Sequence, residues 1–203
     1  MNSIHSLALF CGSSCGNSPR FIQLAKDFGK KCAEQKLTLY YGGAKLGLMN
    51  AAAEATMQAG GTVIGVTPDF FSHDTVVAQN ITKLILVKTM SERKQLLEKI
   101  ADAFVIFPGS FGTMDELFEI ITDAQLGLHA KPVVILNVFG YYDHLLQQLH
   151  TFRNEGFLRP CHYDLLHVAT SVDELFDKIR NYSNSNDLEW IKAHTKREAR
   201  SEC

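Results

Sequence analysis

Short apolar runs alternate along most of the chain with longer segments in which apolar residues recur every three or four positions. The first pattern is typical of buried strands and the second of amphipathic helices. We predict strands at residues 6–11, 37–41, 62–66, 82–87, 103–107, 133–137 and 165–169. We predict the longer helices at residues 19–32, 50–59, 89–101, 113–126, 142–152 and 171–182.

The predicted strands are apolar on both faces and are separated by helices, which is typical of a parallel sheet covered on two sides. We therefore expect an α/β, Rossmann-like, doubly wound and mainly parallel sheet of about seven strands. Residues 1–182 are predicted to form a single nucleotide-binding domain, and residues 183–203 a polar C-terminal tail. The long segment at 67–79 shows neither periodicity and is predicted to be an irregular loop.

Three turns that contain glycine follow predicted strands, at residues 12–16, 42–47 and 109–112. Parallel strands end along one edge of a sheet, where ligands of such folds bind, so these turns should converge on a site. The second turn, taken alone, is also typical of a plain strand-to-helix connection. Its glycine order matches neither a dinucleotide fingerprint nor a Walker loop, so we expect neither NAD binding nor ATP hydrolysis. From the first two turns we assign to the site Gly12, Ser13, Gly42 and Gly43.

The third turn connects an apolar strand that ends before Pro108 to a helix predicted to begin at Thr113. The first N–H groups of a helix lack internal partners, and the helix dipole favours an anion beside them. Gly109 and Gly112 let the main chain approach such an anion closely. This turn is therefore predicted to bind a phosphate group.

Glu116 lies three residues after Thr113 and allows two interpretations. The pair could form a capping box, which would stabilise the helix by about 1 kcal/mol without any chemistry. Alternatively, the carboxylate lies beside the sugar that carries the phosphate and stabilises the oxocarbenium-like transition state of glycosidic cleavage. We favour the second interpretation because an anion is expected at the same helix end.

Arg93 and Lys94 follow a second T-x-x-E start, formed by Thr89 and Glu92, after the fourth predicted strand. A basic pair on a helix is often no more than a solvated surface. Here the pair begins a helix at the edge of the sheet where the site is expected. A guanidinium presents a fork of donors to a carboxylate or a phosphate, so Arg93 is a candidate functional residue.

The bulk properties exclude several classes of function. The 203 residues carry a formal net charge of −2, which gives no basic surface for nucleic acid. No apolar run approaches the roughly 20 residues needed to cross a bilayer, and no signal peptide is evident, so a cytoplasmic protein is expected. The five cysteines have no framework spacing and are predicted to be reduced thiols. The eight histidines form no ligand pattern, and we expect no metal site.

The segment 108–116 reads Pro-Gly-Ser-Phe-Gly-Thr-Met-Asp-Glu and resembles Pro-Gly-Gly-x-Gly-Thr-x-x-Glu, the signature of the LOG ("Lonely guy") family. This family comprises cytokinin riboside 5′-monophosphate phosphoribohydrolases and bacterial relatives formerly labelled lysine decarboxylases. Similar agreement occurs at 10–14, 41–49, 90–94 and 124–142, so the resemblance covers about residues 6–180. Nothing in the sequence marks a Schiff-base lysine, and we do not expect lysine decarboxylation.

The resemblance implies a homodimer that hydrolyses a nucleoside 5′-monophosphate to the free base and ribose 5-phosphate, without a metal or redox cofactor. N6-substituted AMP or AMP itself is the expected substrate. By the same resemblance Arg93 and Glu116 are catalytic. The position of Thr122 further along the helix that carries Glu116 assigns it to the base. The other residues that we assign to substrate binding, from the turn and from the resemblance, are Asp74, Met90, Lys94, Gly109, Ser110, Phe111, Gly112, Thr113 and Asp115.

Ser110 departs from the family, which has glycine at this position. If φ at this position is positive, serine costs roughly 1 kcal/mol or more of strain. If φ is negative, its hydroxyl is an additional donor for the phosphate. In either case we expect altered affinity or specificity rather than lost activity.

Two other functions fit parts of the sequence. A non-catalytic carrier of a phosphorylated cofactor such as molybdopterin would need the glycine turns, but it would not need Arg93 together with Glu116. Binding of single-stranded nucleic acid is disfavoured by the net charge of −2 and by the absence of a basic stripe.

Overall fold

The computed structural model describes residues 4–71, 78 and 80–183. Seven parallel strands form one sheet in the order β4-β3-β2-β1-β5-β6-β7. The strands are β1 (Ser6–Phe10), β2 (Thr38–Tyr41), β3 (Thr62–Pro68), β4 (Lys83–Val87), β5 (Ala103–Ile106), β6 (Val133–Leu136) and β7 (Leu166–Ala169). This arrangement confirms the predicted α/β, Rossmann-like sheet.

Helices cover both faces of the sheet. They are α1 (Pro19–Glu34), α2 (Gly47–Gln58), α3 (Met90–Ile100), α4 (Phe111–Gln125), α5 (Asp143–Asn154), α6 (Pro160–Tyr163) and α7 (Val172–Arg180). One apolar cluster contains side chains of α1, α2 and α7, and a second contains side chains of α3, α4 and α5. The two clusters confirm the doubly wound layering. None of the helices in the described residues is long and apolar enough to cross a membrane.

Most predicted boundaries agree with the structure to within two residues. The larger departure is α2, which begins at Gly47 rather than at residue 50 because the residues after the turn already form its first helical turn. The short helix α6 was not predicted. In the loop predicted at 67–79, β3 continues through Pro68 and a 3-10 turn covers Asp69–Phe71. Of the predicted tail at 183–203, only Ser183 lies within the described residues.

The strand order reverses between β1 and β5, which lie side by side in the centre of the sheet. Phe10 at the end of β1 is in register with Ile106 at the end of β5. The two following turns are joined by a hydrogen bond of 3.0 Å, in which the Gly12 N–H donates to the Pro108 carbonyl. Such a reversal leaves a crevice beyond the strand ends, so the first and third glycine turns converge as predicted.

Helix α2, whose start borders this crevice, is held by close packing against α1. A Cβ atom on Gly29 of α1 would collide with the Ala52 carbonyl oxygen and would lie 3.0 Å from the Thr56 nitrogen. The Thr56 hydroxyl already donates a 2.9 Å hydrogen bond to that same carbonyl. The backbone of α2 therefore leaves no room for a methyl group at this crossing.

We predict that Gly29→Ala lowers the free energy of unfolding, measured by urea titration. Alanine favours a helix over glycine by about 1 kcal/mol. Overpacking at this crossing costs about 1–3 kcal/mol, so the collision should outweigh the gain in propensity. The matched control is Lys30→Ala at the neighbouring exposed position, which should change stability by about 0.5 kcal/mol or less. A Gly29→Ala protein more stable than the wild type would contradict the packing described here.

Candidate active site

A nearly buried ion pair lies at the carboxyl edge of the sheet. The Arg93 Nη2 atom from α3 is 2.8 Å from the Glu116 Oε1 atom of α4, and the two side chains are 11% and 9% exposed. A buried charge is tolerated when an opposite charge lies beside it. Removing one partner strongly destabilises the folded protein, because the other charge is then buried alone. The two helices therefore present their charges to each other in the crevice.

Arg93 reaches this position because the start of α3 is fixed. The Thr89 hydroxyl accepts a hydrogen bond from the Glu92 N–H, and the Glu92 carboxylate accepts one from the Lys88 N–H. This confirms the T-x-x-E start predicted for α3. A Cβ atom on Gly42 would collide with the Arg93 guanidinium, so the glycine after β2 leaves the space that the guanidinium fills.

The capping-box interpretation of Glu116 is wrong. Helix α4 begins at Phe111 with Ser110 as its N-cap, so Thr113 and Glu116 are its third and sixth residues. The helix starts two residues earlier than predicted because Phe111 and Gly112 adopt helical geometry rather than a turn. Thr113 is buried against Gly109, where a Cβ atom would collide with the threonine hydroxyl. Glu116 instead faces Arg93.

The start of α4 leaves its first N–H groups available. In contrast to α1, α3 and α7, which are capped by side chains, α4 receives no capping hydrogen bond from a side chain among the described residues. Helices α2, α5 and α6 also lack such a cap, but the Leu48 N–H of α2 donates to the Gly12 carbonyl at 3.2 Å. Neither α5 nor α6 contributes a wall to the cavity that contains the ion pair. The geometry therefore favours α4 as the anion-binding helix.

Ser110 has φ −118°, so the backbone there is free of the strain that a positive φ would impose. Of the two possibilities raised by the sequence, the structure has the negative φ. The serine is exposed at the helix start, where its hydroxyl is accessible to a ligand.

A cavity of about 160 Å³, the ion-pair cavity, lies between the start of α4 and the ion pair. Its walls are formed by Leu9, Cys11, Gly12, Ser13, Met49, Arg93, Ser110, Gly112, Thr113 and Glu116. A larger cavity of about 360 Å³, the Met90 cavity, shares Ser13, Met49 and Arg93 with it. Its other walls are Gly42, Ala44, Leu46, Thr67, Pro68, Phe71 and Met90. The two cavities therefore form one continuous crevice. The start of α4, where an anion is predicted to bind, lies at one end, the ion pair lies in the middle, and mostly apolar walls form the other end.

Burial raises the pKa of Glu116 to about 7, and the neighbouring Arg93 opposes part of this rise. The carboxyl group can therefore exchange a proton near neutral pH, as general acid–base catalysis requires. Burial, and then the charge of Glu116, raise the pKa of the Cys11 thiol well above its usual range. Cys11 therefore remains a thiol in the cavity wall rather than a nucleophile.

Lys94 and Asp115 bind each other. The Lys94 Nζ atom lies 3.0 Å from the Asp115 carboxylate and also contacts the Glu119 carboxylate. The hydrogen bond to Glu119 is the main cause of the raised pKa of Lys94. Neither Lys94 nor Asp115 belongs to the walls of the two cavities, so the structure assigns them to a bridge between α3 and α4. Their contact with a substrate remains a prediction.

The structure brings most of the predicted site residues to these cavities, namely Gly12, Ser13, Gly42, Met90, Arg93, Ser110, Gly112, Thr113 and Glu116. Gly43 lies behind them, with φ +74° and its carbonyl accepting from the Ala78 N–H. Gly109 borders a neighbouring cavity beside Tyr141, which adjoins the ion-pair cavity at Gly12, Ser13 and Ser110, and Phe111 is almost fully exposed at the helix start.

Of the two remaining predicted residues, one lies away from these cavities and one cannot be placed. Thr122 lines a different, apolar cavity between α4, α5 and α6. Asp74 lies outside the described residues. The sequence reasoning also missed the cavity walls formed by Met49 and Phe71. Met49 belongs to the quoted Gly-Leu-Met segment, but Phe71 lies in the segment without periodicity, where no local pattern predicts its position.

We predict that Arg93→Met raises the pKa of Glu116 above about 7, because the guanidinium lowers that pKa in the native protein. The carbon-13 chemical shift of the Glu116 carboxyl group, followed by NMR against pH, would measure the change. Lys99→Met is the matched control, since it removes one positive charge from an exposed position on the same helix. An Arg93→Met protein whose Glu116 titrates as in the wild type would show that the two groups are not coupled.

Comparison with known proteins identifies the family to which the chain belongs. Residues 49–179 match the family model described as "Possible lysine decarboxylase". A "Probable cytokinin riboside 5′-monophosphate phosphoribohydrolase" of Arabidopsis thaliana is 40% identical over 87% of this chain and 88% of its own length. A cytokinin riboside 5′-monophosphate phosphoribohydrolase of Rhodococcoides fascians is 39% identical over 87% of this chain and 89% of its own length.

Solved structures with the same fold are more distant in sequence. The molybdenum cofactor binding protein of Rippkaea orientalis superposes with a TM-score of 0.66 at 21% identity, over 89% of this chain and 98% of that one. The molybdenum cofactor carrier protein of Chlamydomonas reinhardtii superposes with a TM-score of 0.65 at 19% identity, over 88% of this chain and 97% of that one. These two show the fold, and the closer sequence matches show the family. The chain belongs to the LOG family of phosphoribohydrolase-like proteins.

Proposed function

We propose that this protein hydrolyses the N-glycosidic bond of a nucleoside 5′-monophosphate, either AMP or an N6-substituted AMP, to the free base and ribose 5-phosphate. The observation that carries the proposal is the buried ion pair of Arg93 and Glu116 facing the uncapped start of α4 across one small cavity. The relatives named as phosphoribohydrolases, at 36–41% identity over most of the chain, support the same activity.

The phosphate would bind at the start of α4, where N–H groups and the helix dipole both favour a dianion. Ser110 and Gly112 belong to the walls of the same cavity as the ion pair. A 5′-phosphate bound there therefore leaves the attached ribose beside Glu116. The base then extends into the Met90 cavity, whose apolar walls suit a purine and an apolar N6 substituent.

In the proposed reaction, the bond between C1′ and the base nitrogen breaks and its electron pair leaves with the base. Positive charge develops on the ribose, where the carboxylate of Glu116 stabilises it. Glu116 also accepts a proton from the attacking water, whose hydroxyl binds C1′, and that proton is returned to the departing base. A pKa near 7 suits both transfers. Arg93 orients the carboxylate and keeps part of the Glu116 population ionised.

The carrier function is less well supported. A carrier requires the anion-binding turns but gains nothing from a buried carboxylate beside the sugar. The molybdenum cofactor proteins share only the fold with this chain, at 19–21% identity. The position of Arg93 and Glu116 therefore favours the hydrolase.

We predict that the purified protein releases ribose 5-phosphate from AMP or N6-isopentenyl-AMP, measured by chromatography against GMP, IMP, CMP and UMP. Arg93→Ala and Glu116→Ala should each lower kcat by about 10²-fold or more, because each removes a group that acts in the transition state. The matched controls are Lys99→Ala and Glu34→Ala, which remove the same charges from exposed positions. A protein that binds these nucleotides but releases no ribose 5-phosphate from any of them would contradict the proposal and favour a carrier.

The proposal also covers the oligomeric state of the protein and its location in the cell. We propose a homodimer formed through the exposed aromatic side chains around the apolar cavity of about 430 Å³ between α4, α5 and α6, namely Phe118, Phe152 and Phe157. Exposed apolar patches of this kind are typical of interaction sites.

The described cysteines are free thiols, as in proteins of reducing compartments, which supports a cytoplasmic location. Residues 1–182 would act as the single nucleotide-binding domain and residues 183–203 as a polar tail.

We predict that light scattering gives twice the chain mass of 22.7 kDa, and that Phe118→Asp gives the mass of a single chain. A carboxylate at this position would be desolvated in the interface, which is costly. Leu86→Asp is the matched control, because Leu86 is exposed on a strand at the edge of the sheet, away from the aromatic patch. A wild-type protein that remains monomeric at micromolar concentration would contradict the proposed interface.

A further inference from the structure

The loop that follows β6 holds the glycine-rich turn before α4 through two tyrosine hydroxyls. The Tyr142 hydroxyl donates to the Phe107 carbonyl at 2.6 Å, and the Tyr141 hydroxyl donates to the Gly109 carbonyl at 2.6 Å. The carbonyl between them, on Pro108, accepts from the Gly12 N–H. Three consecutive carbonyl groups of the turn are therefore each bound by a neighbouring loop.

The Tyr141 bond fixes the direction of a donor of the turn, whereas the Tyr142 bond fixes only a carbonyl, because Pro108 has no N–H. In a trans peptide the N–H points away from the C=O of the same unit. With the Gly109 carbonyl bound to Tyr141, the Ser110 N–H is directed away from Tyr141. Tyr141 borders a cavity of about 210 Å³ that shares Gly12, Ser13 and Ser110 with the ion-pair cavity but does not include Arg93 or Glu116 in its walls. Rotation of this peptide would place a carbonyl oxygen where the start of α4 otherwise offers a donor, and a carbonyl repels an anion.

The loop is itself held in an unusual conformation. Phe139 has φ +56°, which is uncommon for a residue other than glycine, and it is followed by Gly140 at φ +70°. The Asn137 side chain accepts from the Tyr142 N–H at 2.8 Å and donates to the Asp143 carboxylate at 2.8 Å. The two tyrosine rings also pack edge to face, with their centroids 4.8 Å apart. The hydroxyls are thus presented from a rigid support.

The need of each tyrosine hydroxyl for a hydrogen-bond partner explains only one of the two bonds to the turn. Tyr142 is 3% exposed, so its hydroxyl needs a partner inside the protein. Tyr141 is 43% exposed, and its hydroxyl could bind water with little loss. Its short bond to Gly109 therefore benefits the turn more than the tyrosine.

We propose that Tyr141 is a positioning residue that holds the Gly109 carbonyl out of the phosphate site and directs the Ser110 N–H toward the phosphate. The inference rests on the proposed function and deepens it, because it concerns how the same site recognises the 5′-phosphate. Tyr141 acts through the main chain of the turn and not by contact with the substrate.

The test is Tyr141→Phe, which removes one hydroxyl and keeps the ring. The dissociation constant of ribose 5-phosphate, measured by calorimetry, and the KM for AMP should both rise on the order of fivefold for the lost hydrogen bond. The value of kcat should change by less than about twofold, since the lost contact is made equally in the ground and transition states. The kcat/KM for adenosine, which has no phosphate, should stay unchanged.

Tyr182→Phe is the matched control, because its ring packs against His167 after the end of α7 and its hydroxyl does not contact the turn. Tyr142→Phe leaves a buried carbonyl without its donor and should lower the thermal midpoint. Tyr141→Phe concerns an exposed hydroxyl and tests the proposal without that effect.

The two proposals fail separately. Binding of ribose 5-phosphate requires no turnover, so the Tyr141→Phe protein can be judged even if no nucleotide is hydrolysed. Unchanged ribose 5-phosphate affinity in Tyr141→Phe would overturn the positioning role, as would a loss of kcat at unchanged affinity. A wild-type protein that does not bind ribose 5-phosphate at all would overturn it as well.

Discussion

The structure depends on placing two opposite charges together where water is largely excluded. Arg93 and Glu116 tolerate burial because they lie 2.8 Å apart, and either charge alone would be costly. Each neighbouring element serves this contact. Gly42 leaves the space for the guanidinium, the cap at Thr89 fixes the helix that carries it, and α4 turns the carboxylate toward it. The reversal of strand order between β1 and β5 opens the crevice in which they meet.

A carboxylate close to a phosphate site is electrostatically unfavourable, and the arrangement resolves this conflict in three ways. The start of α4 supplies donors for the phosphate without a competing side-chain cap. Arg93 compensates the charge of Glu116, while burial raises its pKa to about 7. Lys94 balances Asp115 and Glu119 on the same helix. In the proposed complex the carboxylate stays available near the sugar, which is what cleavage of a glycosidic bond needs and what a simple phosphate-binding turn lacks.

The fold and most of the site could be predicted from the sequence, because strand and helix periodicities and glycine turns are local signals. The predicted start of α4 at Thr113 was wrong, because the local chemistry there is ambiguous. Thr113 and Glu116 have capping-box spacing, but the two preceding residues extend α4 and place both inside the helix. The role of Tyr141 could not be predicted either, since its contact with Gly109 spans 32 residues and depends on the pairing of β5 with β6. Long-range neighbours, unlike periodicity, leave no signal in a single sequence.

A crystal structure of the Glu116→Gln protein with bound AMP would test the central claim most directly. The substitution keeps the shape of the side chain while slowing turnover. We predict phosphate oxygens within hydrogen-bonding distance of the N–H groups at the start of α4, and C1′ within about 4 Å of the residue 116 side chain, a near-attack geometry. The base should occupy the Met90 cavity. A phosphate bound elsewhere, or a ribose turned away from Arg93 and residue 116, would contradict the account.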